Sequence, residues 1–378
     1  MPERLPLVAT ASRGTEPLLA EELSELGAKK VRQERGAVRF AANWREALRI
    51  LLWSRIAMRL LYPLASAKVR GAQGLYDAAR SIAWEEHLST ESTFSVEATL
   101  RDSEHTHSGF VALKVKDAIA DRMRDRLGRR PNVESRDPDV SVSVHLAKDQ
   151  LTVGLDLAGR PLNQRGYRVQ PTAAPLKETL SAALLRSARY TGAEPFVDPM
   201  CGSGTLVIEA ALIAANRAPS LHRTFAVERW PSRALDAQRL LRELREEAAA
   251  AERQPAFPIL GFDRDADALK AARRNAAKLG RAVQLRVADA LHPLPLGDLP
   301  PGVLLTNPPY GSRLTAGGQK GMKAFYFKLG ESLRQLAGWR VFILAANPAF
   351  ESAFHLKPAS QRAFWNGPIE CRLFGYSP

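Results

Sequence analysis

From Leu176 onward, short apolar runs bounded by turn residues alternate with segments whose apolar residues recur every three to four positions, an alternation that few folds accommodate. The spacing predicts helices over 176–187, 205–215, 266–279 and 324–336. Strands are predicted over 195–198, 259–263, 283–287, 303–306, 341–345 and 371–376. Strands separated by helices pair in parallel, so this region reads as an α/β, doubly wound sheet, an architecture that binds ligands at the carboxyl ends of its strands. The charged stretch 232–253, which contains LRELREEAAAAER, falls in the first crossover and reads as an inserted helix.

The first 160 residues read differently. Strands are expected over 5–9, 37–40, 56–62 and 94–100, and helices over 16–26 and 44–52. A long helix follows, with Val111, Val115, Ile119, Met123 and Leu127 turned inward, and then a hairpin of 140–146 and 151–157 around Lys148-Asp149-Gln150. Together these predict an α+β region with antiparallel pairing. The segment GRPLNQRGYRVQPTAAP, 159–175, is rich in Gly, Pro and Arg and holds no period, which places the domain junction there.

Charge narrows the class of partner. The 378 residues include 54 Lys and Arg against 40 Asp and Glu, a net charge of +14 that suits a polyanion such as nucleic acid. The outer faces of the long helix carry Lys114, Lys116, Arg122, Arg124 and Arg126 against Asp117, Asp121 and Asp125, which fits either a phosphate-contacting surface or a solvated face laced with intrahelical pairs. Lys114, Lys116, Arg122, Arg165 and Lys177 are the candidate RNA-contacting residues. Two cysteines, Cys201 and Cys371, cannot frame a disulfide scaffold, and no Cys or His cluster has metal-binding spacing, so a reducing cytoplasm and no metal are expected. The first residues lack the basic start and apolar core of a signal peptide, and the most apolar helix, 205–215, is short and broken by Glu209, so no membrane partner is expected.

Chemistry concentrates at three strand ends and one turn. Phe196-Val-Asp-Pro-Met-Cys-Gly-Ser-Gly-Thr205 is a strand, a glycine turn and a helix start. Read as a P-loop it lacks the Lys before Thr205, and read as a dinucleotide loop it has Val207 where the third Gly belongs. A third reading is S-adenosylmethionine (AdoMet). Asp198 then faces the methionine ammonium, while Pro199, Cys201, Gly202, Gly204 and Thr205 form a loop small enough for close backbone approach. Asp263 and Asp289 end the next two strands, where they can accept from ribose hydroxyls and sit beside the adenine amino group; Asp265 is a spare carboxylate. A lone Asp at a strand end is commonly a helix cap, but three in succession favour the adenosyl ligand.

Thr306-Asn-Pro-Pro-Tyr310-Gly is the sharpest segment. As plain structure it is a rigid turn. As chemistry, Pro308 and Pro309 hold the backbone extended, so that the Asn307 amide oxygen and the Pro308 carbonyl can accept both hydrogens of an exocyclic amine and aim its lone pair at a sulfonium methyl. Tyr310 is expected to stack on the extruded base. Cys201 as a covalent nucleophile is the weaker alternative, because it lies inside the glycine loop.

With these residues in hand, the chain resembles the bacterial THUMP-domain RNA guanine-N2 methyltransferases of large-subunit (23S) rRNA. The likeness rests on TASRGTEPLLAEEL, LLWSRIAMRLLYPL, HSGFVALKVKDAIADRM, RPNVESRDPDVSV, LDLAGRPLNQRGYR, APLKETLSAALL, DPMCGSGTLVIEAA, RAPSLHR, TNPPYGSRL and NGPIEC. The resemblance implies a ferredoxin-like unit over 1–43, a THUMP module over 44–155, a linker over 156–175 and a Rossmann-like AdoMet-dependent methyltransferase over 176–378. It carries the cofactor role onto Asp198, Gly202, Gly204, Asp263 and Asp289, and the amine grip onto Asn307, Pro308, Pro309 and Tyr310. Some relatives fuse a guanine-N7 methyltransferase after the segment matching NGPIEC, and an end at Pro378 implies its lack here. The stretch 225–252 looks divergent. A tRNA guanine-N2 methyltransferase, a DNA adenine methyltransferase sharing the Asn-Pro-Pro-Tyr grip, and a non-catalytic RNA-binding or ribosome-assembly protein are the alternatives.

Overall fold

The computed structural model describes residues 3–169, 176–310 and 318–378; the end of the expected junction, 170–175, lies outside them. The chain forms two compact units. One comprises Met1–Ala11, Ala20–Leu162 and His222–Glu247, and the other comprises Ser12–Leu19, Asn163–Leu221 and Ala248–Pro378.

In chain order the elements begin β1 (Leu5–Thr10), α1 (Glu16–Glu25), β2 (Lys29–Glu34), β3 (Ala37–Ala42), α2 (Trp44–Trp53), β4 (Arg59–Lys68) and α3 (Gly71–Arg80). They continue with β5 (Thr93–Arg101), α4 (Ser108–Leu127), β6 (Asn132–Val133), β7 (Val140–Ala147) and β8 (Gln150–Asp156). Among the described residues the first unit holds one sheet, in the order β2-β3-β1-β4-β8-β7-β5-β6. Most of its pairs are antiparallel, but β5 runs parallel to both β6 and β7, because α4 returns the chain to the same end of the sheet before β7 begins. The antiparallel expectation for this region therefore holds only in part.

Local chemistry explains the differences in the elements. Residues 56–58 do not extend a strand: the buried Glu22 carboxylate accepts from the Arg55 and Ile56 amides and from the Ser54 hydroxyl, at 2.8, 3.3 and 2.6 Å, and holds this stretch as a turn. The strand instead starts at Arg59 and runs past Pro63, where the ladder bulges. β2 is a charged, exposed edge strand with no apolar alternation to reveal it. α3 contains two glycines and buries only Leu75 and Ala79. α2 opens on a capping box between Asn43 and Glu46. In α4, Val111, Val115, Ile119 and Met123 are buried as expected, but Leu127 is exposed, since the helix ends there on Gly128 in the left-handed region.

The second unit is built from α5 (Glu178–Ser187), β9 (Phe196–Asp198), α6 (Thr205–Ala214), β10 (Ile259–Asp263), α8 (Ala266–Ala276), β11 (Val283–Val287), β12 (Val303–Thr306), α9 (Gly318–Leu333), β13 (Arg340–Ala345), α10 (Ala349–Phe354), β14 (Ser360–Asn366) and β15 (Ile369–Tyr376). Helix α7 (Ala234–Ala250) lies between α6 and β10 in the chain. The sheet order is β11-β10-β9-β12-β13-β15-β14, parallel through β13 and antiparallel beyond it. Phe196, Val197, Ile259 and Val303–Leu305 are fully or almost fully buried, as strands covered on both faces must be. The order reverses between β9 and β12, which opens a crevice at their carboxyl ends.

The inserted charged segment belongs to the first unit over His222–Glu247. Trp230 packs edge-on to Trp44, with ring centroids 6.5 Å apart, Arg45 pairs with Glu243 at 2.8 Å, and Arg229 pairs with Asp137 and Asp139 at 3.2 Å each.

Arg165, expected on an RNA-facing surface, is instead buried: its side chain is 1% exposed and pairs with the fully buried Glu209 on α6 at 3.5 Å. Removing one partner of such a pair leaves an uncompensated buried charge, at a typical cost of about 3–5 kcal/mol. Arg165→Met is expected to lower the unfolding free energy by about that amount, as read from the shift of the urea midpoint at constant slope.

Candidate active site

The glycine turn after β9 is tied to its neighbour strand by backbone. The Cys201 amide donates to the Phe262 carbonyl at 2.8 Å and the Gly204 amide to the Cys201 carbonyl at 2.8 Å. Gly202 and Gly204 both have left-handed φ, +51° and +86°. A Cβ on Gly204 would press on Ala272 at 3.1 Å, whereas one on Gly202 would meet nothing within 4 Å. One glycine allows α6 to pack on α8, and the other leaves its backbone open to whatever approaches the turn.

Four carboxylates stand around the turn. Asp263, at the end of β10, accepts from the Gly202 amide at 2.9 Å through one oxygen and from the Asp265 amide at 2.9 Å through the other. Asp289 accepts from the Leu291 amide at 3.0 Å, and Asp265 caps α8. Asp198, 1% exposed, accepts from the Met200 amide at 3.1 Å and lies beside the Thr306 hydroxyl, and among the described residues no Lys, Arg or His pairs with it. Burial, helped by the smaller effect of the nearby Asp263 charge, pushes its carboxyl up to about 7 against the hydrogen bonds that lower it. A buried, unpaired carboxylate of this kind is a receptor for a cation. Cys201 is also buried, and that burial holds its thiol well above its ordinary value, which argues against a nucleophilic thiolate.

Asp198, Pro199, Cys201, Gly202, Thr205, Asp263 and Asp289 line one cavity of about 640 Å³ together with Asn307, Pro308, Pro309 and Tyr310. Gly204 stands behind it as the N-cap of α6. The Tyr310 hydroxyl donates to Asn307 Oδ1 at 2.6 Å and accepts a longer contact from the Cys371 thiol at 3.5 Å, while Asn347 reaches the Tyr310 carbonyl at 3.4 Å. The sequence expectation that Tyr310 serves as a stacking ring thus meets a second feature that the spacing did not reveal: its hydroxyl orients the Asn307 amide. An amide oxygen has two acceptor sites, so one remains for a ligand.

A strap over 163–169 braces the loop from behind. Asn275, 4% exposed on α8, accepts from the Val169 amide at 2.9 Å and donates to the Ser203 carbonyl at 3.0 Å. Arg168 reaches Glu178 at 3.0 Å and the Thr205 hydroxyl at 3.3 Å. Lys177, just before α5, is exposed.

On α4 the expected basic residues differ in availability. Lys114 lies 5.8 Å over the Phe110 ring, Lys116 pairs with Asp117 at 3.1 Å, and Arg122 grips Glu85 through two bonds of 2.9 and 2.7 Å. That grip holds the Glu85 carboxyl down to about 2. Lys114 is thus the freest of the three.

The raised Asp198 carboxyl fixes a sign. A group that binds its proton more tightly folded than unfolded adds stability at low pH, and the contribution is lost as pH rises from about 4 through about 7. Asp198→Asn is therefore expected to gain stability relative to the parent between pH 5 and pH 8, by about 3 kcal/mol, in urea titrations at both pH values. A constant difference would remove the buried-carboxylate assignment.

Comparison with known proteins agrees with this geometry. Residues 165–374 match the family described as RMKL-like, methyltransferase domain; residues 70–156 match the THUMP domain, and 6–61 the RlmL ferredoxin-like domain. The ribosomal RNA large subunit methyltransferase K/L of Syntrophotalea carbinolica is 42% identical over 380 residues, covering 97% of this chain and 53% of that protein. The chain thus spans about half the length of the curated relatives it matches. Among solved structures, SMU.472 in complex with SAH superposes with a TM-score of 0.88 at 32% identity, covering 100% of this chain and 98% of that one. TrmN from Thermus thermophilus superposes with a TM-score of 0.70 at 26% identity, covering 99% of each. A strand-end carboxylate set around a glycine turn, an Asn-Pro-Pro-Tyr turn in the same cavity and a family match over more than half of the residues converge, and the chain belongs to the RMKL-like methyltransferase-domain family.

Proposed function

We propose that the protein transfers a methyl group from AdoMet to the exocyclic N2 amine of a guanine in 23S rRNA. The observation that carries this reading is a single cavity in which a carboxylate-rich end meets the neutral Asn-Pro-Pro-Tyr turn. The carboxylate end fits the cofactor: Asp198 is a buried carboxyl with no Lys, Arg or His pairing with it among the described residues, and Gly202 leaves backbone exposed where a side chain would obstruct. Bound AdoMet supplies an electrophilic methyl on a positively charged sulfur. Asp198 with Pro199, Cys201, Gly202, Gly204 and Thr205 would hold its amino-acid end, Asp263 would accept from the ribose hydroxyls, and Asp289 would serve the adenine.

At the other end, Asn307 Oδ1 and the Pro308 carbonyl accept the two amine hydrogens. Both hydrogens are then held on one side of the nitrogen, and its lone pair faces the methyl donor. Orientation and fixed dipoles take the place of a charged base before transfer; the methyl–sulfur bond breaks as the nitrogen–methyl bond forms, the thioether leaves, and the methylated amine then sheds one proton to water. The Tyr310 hydroxyl keeps the Asn307 amide in register, and its ring is the surface against which an unstacked base rests. The THUMP match and the +14 charge support an RNA partner, with Lys114, Lys116 and Lys177 as the phosphate contacts; Arg165 is withdrawn from that set by its burial and Arg122 by its two bonds to Glu85.

With tritiated AdoMet, the protein is expected to label deproteinised large-subunit rRNA from a strain lacking the enzyme, with Asn307→Ala unlabelled and its AdoMet affinity within about threefold of the parent. Labelling of tRNA alone would move the reading to a tRNA guanine. Tyr310→Phe keeps the ring and loses the hydroxyl, and is expected to lower kcat about tenfold, the effect of one hydrogen bond, with little change in AdoMet affinity. RNA affinity is expected to fall with salt at a log-log slope of about −0.7 per neutralised phosphate. Lys114→Glu is expected to flatten that slope while leaving AdoMet titration unaltered; an unchanged slope would assign α4 to solvent.

A further inference from the structure

The cavity has a wall that the proposed reaction does not assign. β14 and β15 form a hairpin whose last paired residues are Asn366 and Ile369, joined through Gly367, in the left-handed region at φ +63°, and Pro368. This turn stands 56 or more residues along the chain from Tyr310, yet Asn366 and Ile369 line the same cavity as Asn307, Pro308 and Tyr310. Two contacts anchor the tip there. Cys371, on β15, reaches the Tyr310 hydroxyl at 3.5 Å and the Ile369 carbonyl at 3.6 Å, and the Asn366 side chain lies beside that same hydroxyl. Ile369 is 45% exposed, a large apolar side chain at the rim of a polar cavity.

The two ends of the cavity differ in charge. Asp198, Asp263, Asp265, Asp267 and Asp289, with Arg264 among them, line one end, whereas the lining residues Asn307, Pro308, Pro309, Tyr310, Asn366 and Ile369 at the other end carry no charge. The carboxylates suit a cation and the neutral end an uncharged planar ring. A ring whose amine is held by Asn307 and the Pro308 carbonyl must present the edge next to that amine elsewhere. In guanine this edge is N1–H and O6, one donor and one acceptor, and a carboxamide offers the complementary pair. Asn366 is the second carboxamide lining the cavity.

We propose that Asn366 reads the N1–H and O6 edge of the target guanine and that Ile369 covers a face of the ring, so that the β14–β15 tip selects the base while the Asn307 turn performs the transfer. This assignment rests on the guanine-N2 reading. It makes Asn366 a specificity-determining residue and gives the Tyr310 hydroxyl a place between two amides that both face the base.

The test uses the full chain and an RNA oligonucleotide spanning the labelled nucleotide, carrying either guanine or 2-aminopurine there. 2-Aminopurine keeps the amine and lacks both N1–H and O6. The parent is expected to prefer guanine by about ten- to a hundredfold in kcat/KM, the discrimination of a bidentate pair. Asn366→Ala is expected to lose that preference by slowing on guanine alone, with unchanged AdoMet affinity. An equal loss on both RNAs, no loss on either, or a parallel loss of AdoMet affinity would each overturn the assignment. Ile369→Ala removes an exposed side chain and so tests the same wall with little demand on folding; it is expected to raise KM for both RNAs severalfold, and an unaltered KM counts against the covering role. Failure of the parent to label any RNA would instead strike the methyltransferase reading itself, and this assignment with it.

Discussion

The Asp263 carboxylate is the joint on which the second unit turns. One oxygen holds the Gly202 amide and the other the Asp265 amide, so a single side chain at the end of β10 sets the glycine turn and the start of α8 together. Both elements owe their position to the reversal of strand order between β9 and β12. The crevice left there has backbone amides and carboxylates converging from loops that parallel strands deliver to the same edge. The carboxylate thus does structural work before any ligand arrives. A loop already fixed loses less freedom on binding, which is how preorganisation strengthens a site.

The same economy governs the other end of the cavity. Asn307 is held by a phenol, the phenol is contacted by a thiol, and that thiol sits on a strand whose hairpin tip lines the cavity. Each link is a neutral hydrogen-bonding group, so the Asn307 amide is oriented without a net charge beside it.

Much of this was legible in the amino-acid order, for reasons that differ by element. β9, β10, β12 and β13 announce themselves because buried parallel strands are short, apolar and punctuated; Asp198 and Asp263 follow from counting to a strand's last residue, and Asp289 stands two positions beyond β11. Asn307–Tyr310 is legible because two consecutive prolines leave the backbone few conformations. β2 and α3 were not, since one is a charged edge and the other a glycine-containing helix with two buried residues. Arg165 misled because a basic residue in a Gly- and Pro-rich stretch looks solvent-facing, whereas Glu209, its partner, lies 44 positions away on α6. Asn366 and Ile369 escaped because their relevance arises only when β15 pairs against β13. The Asn-Gly pair between apolar runs signals such a hairpin turn and is the one local cue that could have found them.

The arm His222–Glu247 carries a practical consequence for anyone dissecting the molecule. It is encoded between β9 and β10, yet its Trp230, Glu243 and Arg229 are satisfied by Trp44, Arg45, Asp137 and Asp139. Cutting the polypeptide once, in the junction before α5, would leave an indole and several charges stranded on the downstream fragment and a matching vacancy on the upstream one. Genetic shuffling of the first unit among relatives therefore has to exchange three pieces, because the seam runs through space rather than through the gene.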